Sequence, residues 1–201
     1  MNHLEAVLRK VVGDLDAAGA RFALVGGLAV SVRSEPRFTR DLDLAVAVPG
    51  DPAAESLVLA LRSRGYSPVA SVEQESAGRL AQVRLMPGGE PEEGVVVDLL
   101  FASSGIEREI VEAANILEVL QGLRVPVATV GHLIAVKVLA RDDRTRPQDR
   151  ADLLVLLGRT GPGDVEAAEK GLSLIEERGF ARGRRLMEEF ASLRREIGPG
   201  S

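Results

Sequence analysis

The 201-residue chain contains no cysteine and no tryptophan. Disulfides and Cys-ligated zinc are therefore excluded. Its two histidines, His3 and His132, are too few for a His-rich metal site and poor ground for a His-based triad. Aromatics make up 3% of the chain against 45% hydrophobic residues, so the core must be built from Leu, Val and Ala. No apolar run reaches the roughly 18 residues that a membrane span needs. The N-terminal Met1-Asn2-His3-Leu4-Glu5 is polar and enters an amphipathic helix, unlike a signal peptide. A soluble, cytoplasmic protein with no membrane contact is expected. Positive charge is also in short supply: the net charge of -5 argues against indiscriminate nucleic-acid binding. Arginines nevertheless cluster at Arg33, Arg37 and Arg40, at Arg141, Arg144, Arg146 and Arg150, and at Arg182, Arg184, Arg185, Arg194 and Arg195. Such patches can hold a polyanion despite an acidic total. Solvated helix faces are the plainer explanation, and for the last cluster at least as good a one.

The most informative feature present is a pair of aspartates one residue apart, in Arg37-Phe38-Thr39-Arg40-Asp41-Leu42-Asp43-Leu44. The apolar run after them predicts a strand over about 41–48, and alternation puts Asp41 and Asp43 on one face with Leu42 on the other. Adjacent carboxylates raise one another's pKa unless a cation lies between them. Hard oxygen ligands of this kind suit Mg²⁺, which leaves its remaining positions to water and substrate phosphates. Upstream, Phe22-Ala23-Leu24-Val25-Gly26-Gly27-Leu28-Ala29-Val30 reads as a strand, a Gly-Gly turn and the start of a helix. A turn without Cβ atoms at a helix N-terminus exposes N–H groups suited to phosphate. A phosphate cradle followed by a metal-binding strand implies chemistry on nucleoside triphosphates.

Periodicity places a first helix over 3–18, closed by Gly19, and a helix from the Pro49-Gly50-Asp51-Pro52 turn to about Arg64. Strands are expected near 67–73, 79–86 and 94–101, then a helix near 106–114 and a hairpin near 116–125. After Pro126 four helices are expected, at about 129–141, 148–159, 163–178 and 182–196. The reading is an α/β half, residues 1–126, and an all-helical region, 127–197, with 198–201 as a tail outside the fold.

Asp98 lies in the apolar Gly94–Phe101 segment, where an ionised group is costly unless paired or on metal. Beside Asp41 and Asp43 it would complete a two-metal phosphoryl-transfer site; an edge-strand or capping Asp is an equal alternative. Lys137 sits in a helix that is apolar nearly all round, so it needs an anion, from the protein or from a triphosphate, unless it snorkels to an edge. Asp149, behind Pro147, favours the dipole of its helix. Asp152, one turn on, can pair with Lys137 or Arg141 or act on the attacking hydroxyl. Thr39 either contacts a phosphate or is an ordinary loop threonine.

Taken together, Val25-Gly26-Gly27-Leu28-Ala29, then Arg37-Phe38-Thr39-Arg40-Asp41-Leu42-Asp43, then Lys137, then Asp152 form a series over residues 22–155. It resembles the AbiEii-type nucleotidyltransferase toxins, including the mycobacterial MenT group, within the DNA polymerase β nucleotidyltransferase superfamily. The resemblance implies an α+β, mixed α/β fold: a polymerase-β-type core, its mixed sheet flanked by helices, followed by a C-terminal helical bundle. It implies Asp41 and Asp43 as metal ligands, with Asp98 as a third that the toxin branch does not always require. Gly26 and Gly27 match the nucleotide-phosphate turn, with Thr39 and Arg40 beside it. Lys137 matches the triphosphate-binding lysine and Asp152 the essential acid of the helical half. The commoner turn of the superfamily is Gly-Ser; here Gly27 offers no hydroxyl. The implied cofactors are two Mg²⁺ ions, with Mn²⁺ as a substitute, and an NTP co-substrate. The implied acceptor is the 3′ end of tRNA, for which Arg141, Arg144 and Arg146 are candidate contacts. The implied partner is a cognate antitoxin, and the chain is expected to be a monomer.

A small-molecule or protein nucleotidyltransferase of the antibiotic-modifying type shares the early motifs, and a non-catalytic nucleotide sensor could use the same fold. The arginines beside Lys137 favour a polyanionic acceptor, and the intact aspartate pair disfavours a sensor. A harmful enzyme needs an off switch at its site. Phosphorylation of Thr39, or of Ser34, would add roughly -1.5 to -2 charges beside the aspartates, with Arg37 and Arg40 placed to hold the phosphate. Occlusion by bound antitoxin is the alternative.

Overall fold

The structure is a computed structural model, and it describes residues 3–35, 39–74, 78–91, 94–142 and 147–197. Arg37, Arg144, Arg146 and the 198–201 tail lie outside these.

Fifteen elements follow in the order α1 (His3–Ala17), β1 (Phe22–Val25), α2 (Gly26–Arg33), β2 (Asp41–Val46), α3 (Asp51–Arg62), β3 (Ser67–Gln74), β4 (Arg79–Met86), β5 (Val96–Leu100), α4 (Glu107–Ala113), β6 (Asn115–Leu120), β7 (Leu123–Val127), α5 (Val130–Ala140), α6 (Pro147–Leu157), α7 (Pro162–Glu177) and α8 (Leu186–Ile197). Among the described residues, seven strands form one mixed sheet in the order β3-β4-β5-β2-β1-β7-β6. β2 lies in the middle, parallel to β5 and antiparallel to β1.

Alternation accounts for the strands. On β2, Leu42 and Leu44 are fully buried while Asp41 and Asp43 share the opposite face. On β4, Ala81, Val83 and Leu85 face the core, which turns Gln82 and Arg84 the other way. β3, at the sheet edge, is exposed on both faces, with Val69 and Val72 more than half exposed. The helix α1 buries Val7, Leu8, Val11, Val12 and Leu15, at the i, i+1, i+4, i+5, i+8 spacing of one helical face.

The all-round apolar α5 packs against α7, α6 and α2. Gly131 makes the α5–α7 approach possible: a Cβ there would lie 2.4 Å from the Asp164 carbonyl and 2.7 Å from Ala167 Cβ. Leu133, Ile134 and Val138 of α5, with Leu172 and Ile175 of α7, belong to the same hydrophobic cluster as the sheet residues. One core thus runs through both halves. No helix among the described residues is long and apolar enough to cross a membrane.

Most boundaries fall within two residues of expectation; the last helix is the exception. The last helix begins at Leu186 rather than near 182. Arg182 (φ 56°) and Gly183 (φ 73°) take left-handed backbone angles that no helix accommodates. The aspartate strand stops at Val46 rather than 48, after which the chain turns into α3.

Candidate active site

The site is assembled by strand register. Parallel pairing sets Asp43 of β2 opposite Asp98 of β5, and antiparallel pairing sets Arg84 of β4 opposite Asp98. Three charged side chains therefore stand abreast on neighbouring strands, with Asp41 two residues along β2. Asp98 is 2% exposed. Both its oxygens accept from Arg84, Nε to Oδ1 at 2.9 Å and Nη2 to Oδ2 at 2.6 Å. The same Nη2 lies 3.6 Å from Asp41 Oδ2. Hydrogen bonding to Asp98 pushes the Arg84 guanidinium pKa further above its ordinary range.

Asp43 has no such clasp. Burial, then Asp98, then Asp41 push its pKa from 3.8 up to about 6, against the pull of Lys137 and of a hydrogen bond donated by the Gly27 N–H. Gly26 takes φ 63°, and a Cβ there would lie 1.9 Å from Asp43 Oδ2. Glycine at this turn is thus required twice over, by backbone angle and by space for the carboxylate. The Gly26-Gly27 turn at the head of α2 seats an aspartate as well as lining the space expected for phosphate.

The second wall comes from the helices. Lys137 Nζ donates to Asp149 Oδ1 at 2.6 Å and lies 2.8 Å from Asp152 Oδ2. The protein itself therefore supplies the anions this buried lysine needs. An ammonium has three N–H donors, so one is left after the two aspartates. Asp152 is 2% exposed, accepts from Gln148 Nε2 at 3.1 Å, and stands behind Lys137 rather than on the cavity wall. Asp149 is the acid that reaches the wall. It occupies the first turn of α6, as the dipole argument expects, but its buried Oδ2 has no hydrogen-bond partner among the described residues.

Both walls enclose one cavity of about 920 Å³, whose lining includes Gly26, Gly27, Asp41, Asp43, Asp98 and Lys137. Thr39 and Arg40 also line it, and the Thr39 hydroxyl donates to the Asp41 carbonyl at 3.3 Å. Ser34 does not line it; its hydroxyl donates to the Val30 carbonyl at 2.6 Å at the end of α2. Arg141 follows α5 directly and is partly exposed. Three features had not been expected from the sequence: Arg84, the wall position of Asp149, and the wall position of Arg182, an exposed cation of the last arginine cluster whose left-handed turn brings it to the cavity. The available signal for Arg84 was the polar-out alternation of β4; which strand would lie beside it was not legible.

Asp41 and Asp43 fit a divalent cation: two hard carboxylates share one face, and the pull of Lys137 on Asp43 is outweighed by burial and the neighbouring carboxylates. Asp98 is engaged by Arg84, and among the described residues no group of three His, Cys, Asp or Glu side chains is placed to hold an ion.

The sequence model described as "Nucleotidyl transferase AbiEii toxin, Type IV TA system" matches residues 11–197. A search of curated proteins returns no match. Among solved structures, an antigenic nucleotidyltransferase-like protein from Paracoccidioides brasiliensis is similar at a TM-score of 0.53 and 18% identity, covering 95% of this chain and 91% of that one. ANT(2")-Ia, in complex with adenylyl-2"-tobramycin, is similar at 0.56 and 14% identity, covering 86% and 97%. MenT4, a nucleotidyltransferase toxin from Mycobacterium tuberculosis, aligns at only 0.33 with 16% identity, covering 87% and 85%.

Proposed function

The chain belongs to the AbiEii nucleotidyl transferase toxin family of type IV toxin–antitoxin systems, and from that premise we propose that it transfers a nucleotide from an NTP onto the 3′ end of tRNA, blocking translation until a cognate antitoxin neutralises it. It is a nucleotidyltransferase by family, and the family implies an NTP substrate, a divalent metal and an antitoxin partner. The observation that carries the reading is the single cavity onto which the β2 carboxylates and Lys137 both open. Its volume is within the roughly 300–1,000 Å³ of small-molecule sites.

Asp41 and Asp43 would hold the metal, Mg²⁺ or Mn²⁺, which on binding polarises phosphate oxygens and neutralises charge developing on the triphosphate. The chain's own groups do the rest. The Gly26-Gly27 turn admits phosphate close to the backbone, where a side chain would collide with Asp43. Lys137 is fixed in place by Asp149 and Asp152 with one N–H to spare, and it stabilises charge on the triphosphate. Asp152 acts through Lys137 as a positioning residue. Arg40 and Arg182 on the cavity wall, with Arg141 beyond α5, supply cations for a polyanionic acceptor; Arg144 and Arg146 extend that patch in sequence.

Control is read at the same site. A phosphate on Thr39 would introduce about two negative charges beside Asp41, against the metal and the incoming triphosphate. Intact-mass measurement after coexpression with the antitoxin tests this: an unmodified, inactive protein in a stable complex refutes it.

The enzyme itself is tested by incubation with each of the four labelled NTPs and, in separate arms, total tRNA and an aminoglycoside such as tobramycin. Label in tRNA supports the reading. Label in the aminoglycoside alone replaces it with small-molecule modification, and label in neither refutes transfer to both acceptors.

A further inference from the structure

Resting on the reading of this cavity as a nucleotidyl-transfer site, we infer that Arg84 occupies, as a fixed guanidinium, the place a second metal ion would take at Asp98, so that the centre holds one divalent ion per bound NTP.

The inference starts from backbone register. Arg84 is the direct cross-strand neighbour of Asp98, and Asp98 that of Asp43. Their order across the sheet is therefore set by pairing, before any rotamer is chosen. The Arg84 fork then meets the Asp98 carboxylate oxygen for oxygen at 2.9 and 2.6 Å. That planar two-point match is the geometry for which guanidinium is suited and ammonium is not. A third ligand for metal must present a free oxygen, and Asp98 is 2% exposed with both oxygens engaged.

Charge leads to the same count. With Lys137 taken up by Asp149 and Asp152, the strand cluster is counted by itself: Asp41, Asp43 and Asp98 ionised contribute -3, and Arg84 returns +1, leaving -2. One divalent ion neutralises that remainder. Without Arg84 the deficit of -3 would call for more than one. Both hydrogen bonds of the Arg84 fork go to Asp98 and its Nη2 stays 3.6 Å from Asp41, so the negative charge left to a metal lies on the Asp41–Asp43 side. Arg84 is thus a positioning residue: it fixes Asp98 and sets the metal count. Its side chain is 40% exposed, so it has room to swing away if a second ion binds. The metal count therefore decides the matter.

Equilibrium dialysis with Mn²⁺ in the presence of each α,β-methylene NTP analogue counts ions retained per chain, above the background of an Asp43→Asn variant. The wild-type protein should retain one. Arg84→Met should retain two, because Asp98 is released to the ion. The double variant Arg84→Met/Asp98→Asn, which leaves no unpaired buried charge, should return to one. This double variant keeps the comparison usable if Arg84→Met alone folds poorly. Two ions in the wild type, or one in folded Arg84→Met, overturn the inference while leaving nucleotidyl transfer intact. Retention of neither Mn²⁺ nor analogue by any variant overturns both.

Discussion

Replacing Asp43 with asparagine should make the metal-free protein more stable at neutral pH, although it removes a residue of the proposed site. Asp43 binds its proton with a pKa of about 6 in the fold against 3.8 ordinarily. A carboxyl whose folded pKa is raised favours folding while protonated. That contribution is complete below about pH 4 and is lost as pH rises through about 6. The difference of roughly two units corresponds to about 3 kcal/mol at 1.36 kcal/mol per unit. Coupling to Asp41 and Asp98 makes roughly 1–3 kcal/mol the realistic span. Asparagine keeps an oxygen to accept from the Gly27 N–H and carries no charge. In EDTA at pH 8, Asp43→Asn should therefore melt roughly 2–12 °C above wild type, taking about 2–4 °C per kcal/mol for a chain of this size. The gap should close progressively towards pH 4. Saturating Mg²⁺ with an NTP analogue should stabilise wild type and not the variant. Urea and thermal unfolding at pH 4, 6 and 8 supply the measurement. A variant less stable than wild type at pH 8, or a gap independent of pH, refutes the account of Asp43 as an acid whose charge destabilises the metal-free fold.

Lys137→Ala should lower both NTP affinity and turnover, and should also cost about 3–5 kcal/mol, because it strands two buried carboxylates. Lys137→Met/Asp149→Asn/Asp152→Asn should recover most of that stability in a urea titration and none of the activity; recovered activity would place the lysine outside the chemistry. Gly26→Ala should abolish label transfer and weaken Mn²⁺ binding, since its methyl group meets Asp43 and its backbone angle costs roughly 1–2 kcal/mol; unchanged Mn²⁺ affinity would show that the carboxylate need not sit on the turn. Binding to tRNA should weaken steeply with salt, and Arg144→Ala/Arg146→Ala should reduce the log–log slope by roughly 2; a flat wild-type response would point to a small or uncharged acceptor.

Much of this site was legible before the fold, for reasons that differ by residue. Asp41 and Asp43 declared themselves because a two-residue period is local: strand geometry alone puts both on one face. Gly26-Gly27 was legible as a turn, yet its tight contact with Asp43 was not, since that depends on β1 lying beside β2. Lys137 stood out as a charge in an apolar helix, and the need for an anion was correctly inferred. That Asp149 and Asp152 both answer it, with Asp149 reaching the cavity, depends on how α6 lies against α5. Arg84 shows the limit most clearly. Alternation marked its face, but only the strand order β4-β5-β2 could set it against Asp98, and long-range strand order has no local signature. The end of the chain was misjudged at Arg182, where a left-handed turn interrupts what reads as helix.

The division of the cavity between the two halves of the chain bears on how the protein is made. The strand acids, Asp41 to Asp98, leave the ribosome well before Lys137 and Asp149 of the opposite wall. At roughly 5–20 residues per second, on the order of several seconds separate the two. A nascent or prematurely terminated chain therefore carries carboxylates without the lysine that faces them, and its α5 packing surface has nothing to cover it. An antitoxin of the kind the family implies would have that interval in which to be present before both walls of the cavity are complete.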